Sequence, residues 1–410
     1  MTCTLETHRA EITALLDPVI ARLGTQTLPV DSAELPGRVT AAEIAARLPI
    51  PAFTNSQMDG FAARSAELAA ASPEHPVQLP LGLAAAAGDR QIQLLPGTVS
   101  PVMTGAVVPH GADTVIPVEA TMQGAFGPLV REGEGEPSGA ATFTAPSETG
   151  RFIRPVGQDL QAGAVVAGAG TRLTPTLIGA LAASGVSEVP VRARLRALVC
   201  TTGNELMGGT AESGRIPDSN SPMLTAVLRG YGAAVEVLRL PDDAPALARE
   251  LASQAREVDL ILTVGGISAG AYEVVREALA PSGGSFHHVA LQPGGPQGFA
   301  LLEGTPVLCF PGNPVSALLS LELFLVPSLR RMAGLAEPVP EQYALADEVH
   351  SPAAKHQVRR GLLHDGQVTV LDPGSHLIHD LARADVLVHI PVGVAHLPAG
   401  TKVDTWRFHD

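Results

Sequence analysis

The sequence predicts a multidomain protein of the α/β plus β class, with one central α/β unit and β-rich units before and after it. Three observations carry that prediction. Between Leu195 and Leu329, short apolar strand candidates alternate with helical stretches, which is the order of a mostly parallel sheet covered by helices on both faces. The segments 76–144 and 341–410 read instead as short strands broken by turn residues, in a chain with 42 glycines and 35 prolines. The length, 410 residues, suits about three domains.

Each element follows from local pattern. Leu5 to Leu23 reads as a helix. Pro29 to Ala46 reads as an extended segment leading to the Pro49–Pro51 pair. From Pro76 to Thr144, turns such as Leu95-Pro96-Gly97 and Val108-Pro109-His110-Gly111 punctuate short strands, and Glu132 to Gly150 reads as an exposed loop. Further strands follow Arg154, and Thr174 to Ser184 reads as a short helix. In the α/β unit the expected strands are Leu195–Thr201, Ala234–Leu240, Val258–Val264 and Pro306–Phe310, with further strands before and after Gly298. The expected helices are Pro222–Gly230, Ala244–Arg256, Tyr272–Leu279 and Ala317–Leu329. In the last segment, Asp365-Gly366 between apolar runs marks a hairpin.

Composition narrows the function classes. The formal charge is −14 with no basic block, which argues against nucleic acid as a partner. Only Lys355 and Lys402 are lysines, so an anionic ligand has to be held by backbone amides, a metal or a few arginines. Cys3, Cys200 and Cys309 show no metal-ligand spacing, and the last two fall within strands as buried thiols. Neither a signal peptide nor a membrane span is apparent, since Glu322 interrupts the longest apolar run; a cytoplasmic protein is expected.

The most informative motif is Pro311-Gly312-Asn313-Pro314-Val315-Ser316. A strand precedes it and a helix follows, with Asn313 at the N-cap and Pro314 at the first helical position. Unpaired amides at a helix start favour an anion, although the motif alone fits an ordinary strand-to-helix turn equally well. Ligands of such sheets sit at strand C-terminal ends, where Thr202-Gly203-Asn204-Glu205 and Gly265-Gly266-Ile267-Ser268 also fall. Singly, Asp59, Asp159, Glu205, Asp218, Asp242 and Glu273 read as solvated or capping carboxylates, Asp218 most of all. However, Glu205, Asp218, Asp242 and Glu273 each follow a strand and so can gather round one pocket, where they would suit a hard divalent cation such as Mg²⁺. His287-His288 reads poorly as a metal pair, because neighbours in a strand point to opposite faces. The histidines after Gly361 read mostly as surface residues.

Taken together, these motifs resemble those of the molybdopterin molybdenumtransferases, the MoeA and gephyrin E-domain family. The match runs in family order through Asn55-Ser56-Gln57-Met58-Asp59-Gly60-Phe61-Ala62, Met103-Thr104-Gly105-Ala106 and Val156-Gly157-Gln158-Asp159. It continues through Thr202-Gly203-Asn204-Glu205-Leu206, Asp218-Ser219-Asn220, Gly265-Gly266-Ile267-Ser268, the Pro311 turn and Gly374-Ser375-His376. The resemblance implies four units: a linker-like domain (1–50 and 146–192), an inserted β-rich domain (51–145), a three-layer α/β molybdopterin-binding domain (193–334) and a C-terminal β-barrel (335–410).

It further implies a Mg²⁺-dependent transferase of molybdenum cofactor biosynthesis, which inserts molybdenum from molybdate into adenylylated molybdopterin and releases AMP. The implied catalytic residues are Asp59, Thr104, Asp159, Glu205, Asp218 and Ser375. Substrate would be bound by Gly203, Gly265, Gly266, Ser268, Gln292, Pro311, Gly312, Asn313, Pro314, Ser316 and Arg360, and the metal by Asp242 and Glu273. A homodimer with a shared active site is implied, in which Asp59, Thr104 and Asp159 come from the partner subunit. A molybdopterin adenylyltransferase is an implied partner.

The chain departs from the family pattern at Gln292-Pro293-Gly294-Gly295-Pro296, where the family has K-P-G-K-P, and at His288, where it has a further lysine. These losses raise the alternative of a catalytically impaired paralogue that acts as a dimeric pterin-binding or scaffolding protein.

Overall fold

The structure, a computed structural model of the chain, describes residues 3–207, 215–267 and 273–407. Helix α1 (Leu5–Ala21) is capped by the Thr4 hydroxyl, which accepts from the Thr7 amide at 3.1 Å. Its apolar stripe of Leu5, Ile12, Leu16 and Val19 packs into the α/β core, not onto the segment that follows it in sequence.

Residues 25–50 and 153–192 form a separate small core. Thr25–Pro29 pairs antiparallel with Glu188–Arg192, and helix α2 (Pro175–Ala183) seals Leu28, Leu35, Leu173 and Leu181 against them. Between these stretches lies a β-rich unit. Gly60–Ala63 is the middle strand of three, flanked by Ser100–Val102 and Thr114–Pro117. Val77–Pro80 pairs with Ala140–Phe143. That last strand lies inside the segment expected to be an exposed loop; Ala141 and Phe143 are buried, and two apolar side chains on one face decide it.

The central sheet has six strands: β1 (Arg196–Thr202), β2 (Ala234–Leu240), β3 (Leu260–Val264), β4 (Ser285–His288), β5 (Pro296–Leu302) and β6 (Thr305–Phe310). Their spatial order is β2-β1-β3-β6-β5-β4. The first four run parallel, and β5 is antiparallel to both neighbours. Alternation along each strand sorts the core. Ala197, Val199, Leu260, Leu262 and Leu308 face α1, helix α3 (Asn220–Gly230) and the helical run after Pro314. Leu198, Cys200, Ile261, Val307 and Cys309 face helices α4 (Ala244–Gln254) and α5 (Val274–Leu279). Burial pushes both strand thiols up to about 12, as expected of structural cysteines.

Two details differ from the sequence reading. Gly298 lies within β5, opposite Phe286 of β4, and a Cβ there would stand 2.3 Å from the Phe286 ring. The last helix is three joined pieces: α6 (Pro314–Ser320), one wide turn over Leu321–Leu325, and α7 (Val326–Met332). Pro327 explains the wide turn, because it offers no N–H to the Leu323 carbonyl four residues back. Arg9 Nε donates to that carbonyl instead, at 2.9 Å.

The last unit is a closed five-stranded barrel. Its strands are β7 (Glu341–Leu345), β8 (His356–His364), β9 (Gln367–Val370), β10 (Val386–Ile390) and β11 (Lys402–Arg407), closed in the order β8-β9-β7-β11-β10 and back to β8. Asp365-Gly366 makes the β8–β9 hairpin with positive φ at both residues. Leu291–Gln292, from the α/β segment, pairs with the start of β8 and ties the two units together. Helix α8 (Ile378–Arg383) follows the Ser375 loop. Among the described residues, no helix is long and apolar enough to cross a membrane.

Candidate active site

The strand order reverses between β1 and β3, and the crevice beyond their C-terminal ends is where open α/β sheets take ligands. Here it is a cleft of about 760 Å³. After β1 the chain turns at Gly203 (φ +139°), and the Glu205 carboxylate folds back over it. A Cβ on Gly203 would lie 2.6–2.8 Å from the atoms of that carboxyl group. Asp242, just past β2, accepts from the Asn204 amide at 3.0 Å, so two loops from adjacent strands are pinned together.

After β3, Gly265 and Gly266 both have positive φ. The Gly266 carbonyl accepts from the amides of Val275 and Arg276, each at 3.2 Å, which starts α5 and sets Glu273 at its N-cap position. After β6, Gly312 approaches Gly265 so closely that a Cβ would meet the Gly265 Cα at 3.4 Å, and its carbonyl accepts from Asn220 Nδ2 at 2.8 Å. The three turns therefore stand side by side, Gly265 in van der Waals reach of the Thr202 carbonyl and Gly312 of Gly265.

The barrel side supplies the remaining wall. Asn313 stands at the N-cap of α6 but does not cap it; its Nδ2 donates to Ser375 Oγ at 3.0 Å. The Val315 amide donates to the Ser375 carbonyl at 3.2 Å, so one of the helix-start amides expected to be unpaired is taken by this loop. Arg360 holds the loop from behind. Its guanidinium is buried and donates to the carbonyls of Gly374, at 3.1 Å, and Asp372.

Of the residues singled out from sequence, Gly203, Glu205, Asp242, Gly265, Gly266, Glu273, Pro311, Gly312, Asn313, Pro314, Ser316 and Ser375 line this cleft. Asp218, Gln292 and Arg360 do not; they lie among the packing beneath and beside it. Asp218 accepts from the Ser221 amide at 3.0 Å, from Arg239 Nε at 3.0 Å and from Thr201 Oγ1 at 3.3 Å. Burial alone would raise its pKa, but the Ser221 hydrogen bonds and Arg239 outweigh it and hold the carboxyl below the usual range. Gln292 pairs with Gln357, while the adjacent Pro293 and Gly294 reach the cleft.

Ser268 lies outside the described residues. No lining residue comes from 51–192, so Asp59, Thr104 and Asp159 take no part in this chain's cleft. Asp59 accepts from the Thr104 amide at 2.7 Å and hydroxyl at 2.8 Å, and these bonds lower its pKa. Asp159 is exposed, its amide bonded to the Ile50 carbonyl at 2.9 Å.

Sequence reasoning missed Ile216 and Pro217, which belong to no motif, and gave no role to Thr202, Ser219, Asn220 and His376, which do and which line the cleft. Asn220 had a signal, as the last residue of its motif. Its Oδ1 is buried and has no partner among the described residues. His376 was grouped with surface histidines, and His389 likewise; the latter is packed against Trp406 and His356 inside the barrel wall. The described lining carries three carboxylates (Glu205, Asp242, Glu273) and neither arginine nor lysine.

Three family models cover the chain: the MoeA N-terminal region (domains I and II) over residues 3–185, a probable molybdopterin binding domain over 198–331, and the MoeA C-terminal region (domain IV) over 342–408. Molybdopterin molybdenumtransferase 2 of Mycobacterium tuberculosis is 40% identical over 396 residues, 93% of this chain and 94% of that protein. The chain belongs to the MoeA family of molybdopterin molybdenumtransferases. The molybdopterin molybdenumtransferase of Synechococcus elongatus is 34% identical over 95% of this chain and 96% of its own length. The crystal structure of a molybdopterin biosynthesis MoeA protein from Pyrococcus horikosii superposes over the whole of both chains with a TM-score of 0.83 at 24% identity, which speaks for the fold. As a MoeA-family member this chain is an enzyme of the transferase class, with its place in molybdenum cofactor biosynthesis.

Proposed function

We propose that the cleft binds adenylylated molybdopterin, that molybdenum from molybdate is inserted there with release of AMP, and that Mg²⁺ is required. One observation carries this reading: three glycine turns, the Ser375 loop and three carboxylates converge on one cleft that has no cationic side chain among its described lining residues. A phosphate-bearing substrate meets net negative charge there unless a cation enters with it. The donor set fits Mg²⁺, which usually takes one or two carboxylates and completes its shell with water and substrate phosphates. Asp242 and Glu273 would hold it. When bound, Mg²⁺ supplies positive charge at the phosphate oxygens.

The chain's own groups do the rest. Close approach of backbone at Gly203, Gly265, Gly266 and Gly312 leaves room for phosphate oxygens near main-chain amides. Thr202 offers a polar contact in the cleft, Asn220 Nδ2 holds the Gly312 carbonyl, and Asn313 fixes Ser375 at the wall. In this reading the Asp59, Thr104 and Asp159 segment reaches the cleft from a partner subunit of a homodimer. A molybdopterin adenylyltransferase would supply the substrate, and Arg360 acts by holding the Ser375 loop. No protein nucleophile is invoked. A molybdate oxygen attacks the adenylate phosphorus and the bond to the pterin phosphate breaks, which leaves adenylyl molybdate. The dithiolene sulfurs, their protons lost to solvent, then bond to molybdenum as its bond to that oxygen breaks, and AMP leaves carrying the oxygen. Purified protein given adenylylated molybdopterin, Mg²⁺ and ¹⁸O-molybdate should release labelled AMP. AMP without label would refute the attack, and no AMP at millimolar molybdate would refute the transfer itself.

The impaired-paralogue reading keeps one specific support. Gly295 sits where the family has a lysine, and the His288 ring lies over it, 2.5 Å from where a Cβ would stand. Substrate binding that is retained without AMP release would favour that reading.

A further inference from the structure

Away from the cleft, the segment leading into α1 and the strand β4 bring four metal-ligand side chains together. Cys3 makes a parallel bridge with Val289, and its carbonyl accepts from the Ala290 amide at 2.8 Å, which carries its thiol beside β4. His8 and Glu11 stand three residues apart on α1 and so share a face, and His287 comes from β4. His8 Nδ1 and His287 Nε2 are 2.9 Å apart. Glu11 Oε2 lies 3.6 Å from the first and 3.7 Å from the second. With the Cys3 sulfur, all four ligand atoms lie within 4.8 Å of one another. Ligands bound tetrahedrally to Zn²⁺ at about 2.0–2.3 Å stand roughly 3.3–3.7 Å from each other, so only small rotations separate this group from a closed site.

Hydrogen bonding does not account for the arrangement. The contact between His8 Nδ1 and His287 Nε2 takes one N–H, whichever ring donates it, and the two nitrogens spend it on each other. Glu11 Oε2 is then left buried with no hydrogen-bond partner among the described residues, although it is close to both ring nitrogens. A buried oxygen of this kind calls for a cation. His8 is fully buried against the rings of Phe324 and Phe299. Glu11 and His287 keep 42% and 23% of their side-chain surface exposed, which leaves an ion a way in from solvent. One sulfur, two imidazoles and one carboxylate are borderline ligands that suit Zn²⁺, whereas Mg²⁺ and Ca²⁺ prefer oxygen alone.

We propose that Cys3, His8, Glu11 and His287 form a structural Zn²⁺ site, separate from the cleft, that fastens the N-terminal segment to the central sheet. On binding, the Cys3 thiol gives its proton to solvent, and each imidazole ligates through the nitrogen that faces the ion and carries its proton on the other. For His8 that other nitrogen, Nε2, is buried with no hydrogen-bond partner among the described residues and faces the aromatic packing. The site lies next to His288, the residue that covers Gly295, so it steadies the strand leading into the Pro293–Pro296 loop of the cleft.

The test uses untagged full-length protein stripped with a chelator, with Zn²⁺ affinity read by competition against a chromophoric chelator. One equivalent should bind per chain, and Cys3→Ser and Glu11→Gln should each weaken binding by more than about tenfold, since even outer-shell losses cost about that much. Co²⁺ in place of Zn²⁺ should give tetrahedral ligand-field absorption and a thiolate charge-transfer band that disappears in Cys3→Ser. Equal Zn²⁺ affinity in both variants and wild type, or a wild-type Co²⁺ spectrum lacking the thiolate band, would overturn the site. The wild-type Co²⁺ spectrum decides the matter even if a variant fails to fold.

Discussion

At the scale of single residues, buried groups under the cleft and exposed groups lining it should separate by what their loss changes. Asp218 caps α3 through the Ser221 amide and neutralises Arg239, and its side chain is 1% exposed. Asp218→Ala should cost about 1–3 kcal/mol, moderated because Arg239 is half exposed. Its folded pKa lies below the unfolded value of about 3.9, so its contribution is complete above that pH and is lost as pH falls through the folded pKa. The stability advantage of wild type over Asp218→Asn in urea titrations should therefore be largest near neutrality and shrink on acidification below about pH 4. Gly60, next to Asp59, makes a different kind of demand. A Cβ there would stand 2.2 Å from the Ile116 carbonyl oxygen across the sheet, and backbone cannot swing aside. Gly60→Ala should cost about 1–3 kcal/mol or more in thermal unfolding, so this glycine of the family motif is explained by sheet packing as much as by substrate.

Among elements, the contact to test is the Ser375 loop against the start of α6. Arg360 is buried and holds the Gly374 and Asp372 carbonyls, so Arg360→Ala should lower both stability and activity. The stability loss should be of the order of 1.5–3 kcal/mol, as for hydrogen bonds to a charged group. Ser375→Ala removes a hydroxyl from the cleft wall and should lower kcat/KM for AMP release with little change in Tm; equal losses in both variants would contradict this division of roles. The sequence made the parallel strands, α4 and the Asp365-Gly366 hairpin legible, because alternation and turn chemistry are local. It also placed three strand-end loops on one crevice, since a β-α-β order fixes which ends meet. What it left unread depends on distant partners. Nothing near Arg360 in sequence says that its guanidinium turns toward the carbonyls of 372–374, and nothing near Leu323 says that Arg9 will take its carbonyl. The Ala140–Phe143 strand was hidden because its pairing partner, Val77–Pro80, lies sixty residues earlier.

For the whole molecule, the question is whether one chain suffices. The cleft draws on the α/β unit and the barrel, and none of its lining comes from residues 51–192, although that stretch holds the Asp59, Thr104 and Asp159 motifs. If those residues serve catalysis, they must do so in another copy's cleft, which a two-fold homodimer allows reciprocally. A complementation experiment separates this from a purely structural role. Asp59→Ala and Glu205→Ala should each be inactive as homodimers. After the two are unfolded together and refolded at equal concentration, half the dimers are mixed, and each mixed dimer has one cleft with both residues intact. Activity should then recover to about a quarter of wild type, the yield expected for random pairing with one competent site in half the dimers. Sedimentation of wild type as a monomer, or no recovery in mixtures verified to contain heterodimer, would place each site within a single chain and leave the Asp59 segment a structural role only.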